Sequence, residues 1–144
     1  MPPCRILLIE DDSARIERFR KWTPEGVRLV VATSGGMAIG ALKRDGRGVY
    51  AGLMLDHDLQ QQAATSADLT LSASNLVNLI IQGVDRSAVI LVHSMNFSQG
   101  DAMAARLDRA GFWVTRVPMD RLSEAKFLQW VADVQDLWAE RSEA

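Results

Sequence analysis

An apolar run, Leu53-Met54-Leu55, ends abruptly in Asp56-His57-Asp58. Ile6–Ile9 ends the same way in Glu10-Asp11-Asp12, and Ala88–Val92 in His93-Ser94-Met95-Asn96. Carboxylates brought to one place repel, so they require a cation or shifted pKa values. Glu10, Asp11 and Asp56, with a backbone oxygen nearby, suit Mg2+ or Mn2+, which prefer oxygen ligands. His57 and His93 also admit zinc or another transition metal, and an acid cluster without metal stays open. The two imidazoles are candidate proton carriers; the plainer reading turns His93 into a helix layer against a carbonyl. Ser94 reads as a hydroxyl donor to a bound phosphate, a nucleophile or a helix-entry residue, and a nucleophile needs a base aimed at it. For Asp56 and Asp58 the plainer reading is turn chemistry.

The elements that must position these residues follow from the pattern. Short, near-continuous apolar runs are the mark of buried parallel strands. Five are expected: Arg5–Ile9, Val27–Ala32, Gly52–Asp56, Ala88–Val92 and Phe112–Val117. Between them apolar residues recur at helical spacing. The first helix runs from a Ser13 cap through Trp22, and a second carries Met37, Ile39 and Leu42 up to Asp45-Gly46. A third opens at Ser72 or Ser74 and closes near Gly83. A fourth runs from Ser98 or Gly100 to Ala110, and the last spans Ser123 to Ala139 with Phe127, Trp130, Val131, Val134 and Trp138 on its apolar stripe. Strands alternating with helices predict an α/β fold, a single doubly wound five-stranded parallel sheet with helices on both faces. One domain, 1–144, is expected. All strand carboxyl ends then share one rim, where such sheets bind ligands. The polar stretch Gln60–Leu71 reads as an ordered loop flanking that rim or as a flexible insertion.

Composition narrows the function classes. With 16 Lys and Arg against 18 Asp and Glu, a net charge of −2 argues against an extended nucleic-acid surface but permits a small phosphate site. The single cysteine, Cys4, forms no internal disulfide and reads as a small apolar residue. No apolar run reaches membrane-spanning length, and a cytoplasmic setting is expected. Arg15, Arg18, Arg20 and Lys21 read as a solvated helix face. Trp130 and Trp138 read as core or as a face for a second copy. Thr33-Ser34-Gly35-Gly36 offers amides at a helix start that can hold an anion. Walker-type loops, dinucleotide fingerprints and metalloprotease helix motifs are lacking.

With those residues in hand, the chain resembles the receiver domains of two-component response regulators, which have a flavodoxin-like fold. The resemblance makes Glu10 and Asp11 the acidic pair, Asp56 the phospho-accepting aspartate, Ser94 the switch hydroxyl and Asp58 a metal contact through its carbonyl. Receivers carry a lysine directly before the proline that ends the fifth strand; here Val117 stands there, with Arg116 one residue away. Leu55-Asp56-His57-Asp58-Leu59 together with Val92-His93-Ser94-Met95-Asn96 is similar to the cyclic-phosphate processing branch of receiver-like domains. That likeness implies a metal-dependent phosphoesterase acting on a 2′,3′-cyclic phosphate or a related phosphoester of a nucleotide or an RNA end. Glu10, Asp11 and Asp56 would hold the metal, His57 and His93 would exchange protons, and Ser94 and Asn96 would donate hydrogen bonds. The alternative it implies is a receiver phosphorylated on Asp56 by a histidine kinase and acting through a signalling partner.

Overall fold

The structure, a computed structural model, describes residues 3–56 and 73–143. Strands β1 (Cys4–Ile9), β2 (Val27–Ala32), β3 (Tyr50–Leu55), β4 (Val89–Val92) and β5 (Trp113–Arg116) form one parallel sheet in the order β2-β1-β3-β4-β5. The expected fold class is therefore the one observed. The three central strands are almost wholly buried, whereas β2 and β5 at the edges are half-exposed. Their sequences say why. Apart from Arg5 and Tyr50 near their amino ends, β1, β3 and β4 are apolar, while the edges carry Arg28, Thr115 and Arg116.

Helices α1 (Ser13–Trp22) and α5 (Glu124–Glu143) cover one face of the sheet; α2 (Gly35–Asp45), α3 (Ala73–Gly83) and α4 (Phe97–Arg109) cover the other. Alternate strand residues feed the two layers. Ile6, Leu8, Met54 and Leu91 meet Phe19, Phe127, Trp130 and Val134, and Leu7, Ile9, Leu53, Leu55 and Ile90 meet Leu42, Leu76, Ile80 and Leu107. Trp130 and Trp138 belong to the core.

Helix ends are set locally. Asp12, not Ser13, caps α1: its carboxylate accepts the amides of Ala14 and Arg15 at 2.9 and 3.0 Å. An acid is the better partner for the positive end of a helix. Ser34 caps α2 and Asn96 caps α4. The last strand is shorter than expected, since Phe112 and Val117 flank it, and α5 runs past Ala139. Gln60–Leu71 lies outside the described residues.

Two positions give stability predictions. A Cβ on Gly52 would stand 3.1 Å from the Trp130 ring and 3.3 Å from the Val89 carbonyl oxygen, so the bare backbone of β3 is what lets α5 pack closely. Gly52→Val is expected to cost about 1–3 kcal/mol by overpacking, read as a lower urea midpoint at unchanged slope. Tyr50 is buried with its hydroxyl donating to Asp45; burial first, then that carboxylate, pushes its phenol up to about 12. The stability the neutral phenol contributes is complete below its ordinary range near pH 10 and disappears as pH rises through about 12. Tyr50→Phe should therefore flatten the alkaline limb of a stability profile.

Candidate functional site

Sheet register brings the site together. Ala32, Ile9, Leu55, Val92 and Arg116 stand in one row across all five strands. The next residues continue the ladder. The amide of Glu10 donates to Ala32, that of Asp56 to Ile9, that of His93 to Leu55 and that of Val117 to Val92, at 3.0–3.1 Å. Since successive side chains alternate faces, Glu10, Asp56, His93 and Val117 all point into the layer of α1 and α5. The chain turns from β1 toward β2 on one side and crosses to β3 on the other, so the row straddles the switch point where open α/β sheets bind ligands.

Glu10, Asp11 and Asp56 are buried, and one carboxylate oxygen from each lies within 4.8 Å of the others. Glu10 is held at both carboxylate oxygens. Its Oε2 accepts the amides of Asp11 and Asp12 at 3.0 and 3.2 Å, and its Oε1 lies 3.1 Å from His93 Nε2. Burial pushes the Glu10 carboxyl up. The hydrogen bond and attraction of His93, a hydrogen bond with Asp56 and the Asp12 amide outweigh it and bring the carboxyl to about 2. A buried set of three hard oxygen donors fits a divalent cation that prefers oxygen ligands.

His93 is 0 % exposed, edge-on to Phe19 with ring centroids 5.3 Å apart, and its Nδ1 has no hydrogen-bond partner among the described residues. A proton on Nε2 points at Glu10 Oε1. The ring has turned into a helix layer, but it meets a carboxylate there and not a carbonyl. That placement suits holding Glu10 in position more than meeting a substrate.

Ser94 is buried at the rim, its Oγ accepting the Asn96 amide at 3.1 Å. Asn96 spends its side-chain oxygen on the Gln99 amide as the α4 cap. Ser34 likewise accepts the Met37 amide. His57 and Asp58 lie outside the described residues. Arg116 points away from the pocket: it reaches Asp101 Oδ1, the Val92 carbonyl and the Asn96 carbonyl at 3.0, 3.2 and 3.4 Å, in space that Gly100 leaves by having no side chain. Val117, in the pocket's own row, packs on the apolar layer.

The residue that sequence reasoning missed is Arg15. It was expected on a solvated face with Arg18 and Arg20, yet its Nη1 lies 3.5 Å from Glu10 Oε1 and 3.7 Å from Asp56 Oδ2. The signal was its place in the first turn of a helix that starts directly after the acidic run. A long side chain there can fold back over the strand end.

No family profile matches the chain, and no curated protein matches it. Solved structures do. The signal receiver domain of a protein described as a Luxo repressor, from Vibrio parahaemolyticus, superposes with a TM-score of 0.72 at 17% identity, covering 98% of this chain and 96% of that one. A CheY-like response regulator receiver domain from Methanospirillum hungatei gives 0.69 at 12% identity over 95% and 98%. The receiver domain of the sensor histidine kinase PA1611 from Pseudomonas aeruginosa, with a magnesium ion coordinated in its active site cleft, gives 0.63 at 18% over 93% and 96%. The chain has the receiver fold, with a buried acidic triad at its switch point. No helix among the described residues is long and apolar enough to cross a membrane.

Proposed function

We propose that this chain is a phospho-accepting receiver module, in which Glu10, Asp11 and Asp56 hold Mg2+ or Mn2+ and Asp56 takes the phosphoryl group. The observation that carries this reading is the buried triad at the switch point of a receiver fold, in the kind of cleft where the PA1611 receiver domain holds magnesium. A divalent cation there would neutralise charge on the acceptor and on the phosphoryl oxygens. An Asp56 oxygen forms the bond to phosphorus as the donor's P–O bond breaks, leaving acetate when acetyl phosphate is the donor. Ser94, buried beside the row, supplies a hydroxyl to the phosphoryl oxygens. His93 holds Glu10 at the angle the cation requires, since partners behind a ligand orient it. A histidine kinase would be the natural donor, and a signalling partner the reader of the phosphorylated state.

The cyclic-phosphate reading needs both imidazoles to exchange protons with substrate. His93 is committed to Glu10 and buried against Phe19, which favours the phospho-acceptor instead. Intact-mass measurement with acetyl phosphate and Mg2+ separates the two. The proposal expects a gain of one phosphoryl group that disappears in Asp56→Asn, with no turnover of 2′,3′-cyclic nucleotides. An unmodified wild-type protein that hydrolyses a cyclic nucleotide would reverse the choice.

A further inference from the structure

We propose that Arg15 supplies the anion-binding cation of this pocket, from the first turn of α1 and not from the end of β5. The inference rests on the phospho-acceptor reading of Asp56 and extends it. A phosphoryl group beside three carboxylates demands positive charge on its own oxygens as well as on the carboxylates. The pocket's row offers none at its β5 end, because Val117 is apolar. Arg116 is held by three acceptors on the opposite face. The stretch from His57 to Ser72 contains no lysine or arginine, so no further guanidinium or ammonium can come from it.

Arg15 has the reach and the freedom the role requires. Its guanidinium stands over Glu10 and Asp56 at 3.5 and 3.7 Å, longer than a charge-assisted hydrogen bond of about 2.7–2.9 Å. It is therefore close enough to be attracted and too far to be locked. The side chain is 27 % exposed, so it borders solvent at the mouth of the pocket while the carboxylates lie beneath. A planar fork of five N–H donors matches phosphate-like oxygens. Without an anion the same group damps the repulsion between Glu10 and Asp56. With a divalent cation held by the carboxylates, the Arg15 guanidinium would be free to turn toward an anion on Asp56.

Beryllofluoride, a phosphoryl mimic seen directly by fluorine NMR, tests this on the full chain in Mg2+. Mg2+ affinity is measured separately by calorimetry. Arg15→Ala should weaken beryllofluoride binding by about tenfold or more, with Mg2+ affinity retained or tightened. Arg15→Lys should recover part of the loss, and Arg18→Ala, on the exposed side of α1, should lose nothing. Arg15→Ala binding beryllofluoride within about threefold of wild type would overturn the inference alone. So would equal losses of Mg2+ and beryllofluoride, which mark a merely structural residue. A wild-type protein that binds Mg2+ but never beryllofluoride would overturn the phospho-acceptor reading, and this inference with it.

Discussion

Replacing His93 with alanine is expected to destabilise the fold by about 3–5 kcal/mol, among the largest effects available to a single substitution here. Two losses coincide. The ring leaves a cavity against Phe19, which itself packs on Phe127 and Trp22 at centroid distances of 5.5 and 5.9 Å. Glu10 loses the hydrogen bond at Oε1 while remaining buried, so its carboxyl must rise toward protonation or draw in water. His93→Gln keeps a donor of similar reach and should recover part of the loss; His93→Leu fills the space but not the bond and should recover less. Urea unfolding of the three variants separates packing from pairing. If His93→Leu equals wild type, the bond to Glu10 contributes nothing.

The second large effect concerns cation linkage. A ligand that binds only the folded state stabilises it by RT ln(1 + [L]/Kd), about 2.7 kcal/mol at a concentration a hundred times Kd. Wild-type protein should therefore gain thermal stability as Mg2+ or Mn2+ is raised. In Asp56→Asn the gain should vanish over the same range, because one of three charged oxygen donors has gone. The same substitution should raise the stability of the metal-free protein, since it removes a buried acid crowded against Glu10 and Asp11. Opposite signs with and without cation are the signature. An asparagine variant that gains as much from Mg2+ as wild type would place the cation elsewhere.

Much of this fold is legible in the residues because its layers follow simple patterns. Apolar runs closed by acids mark the strands and, with them, the rim; turn residues such as Gly46 and Gly111, both at positive φ, mark helix ends. What is not legible is register. Whether His93 shares a face with Glu10 depends on which residues of β1, β3 and β4 stand side by side, and no local pattern encodes that. Once the ladder is known, its direction follows from alternation alone. The same holds for Arg116, one residue from Val117 and hence on the opposite face. Arg15 escaped for a different reason. Helical periodicity assigns a side to each residue, but at the first turn a long side chain can leave its side and reach over the end of the neighbouring strand. Asn96 illustrates competition between roles. Its side-chain oxygen accepts the Gln99 amide as the cap that an exposed helix start needs, which leaves donation to a substrate to its side-chain nitrogen alone.

The central claim is that Asp56 accepts a phosphoryl group in a carboxylate pocket that works with a divalent cation. Its most direct test is borohydride reduction after incubation with acetyl phosphate, which converts an aspartyl phosphate to homoserine, followed by peptide mapping. Homoserine is expected at position 56, formed with Mg2+ and lost when the cation is chelated. Homoserine at Asp11 or at another acid, or none at any position in protein shown to bind Mg2+, would contradict it.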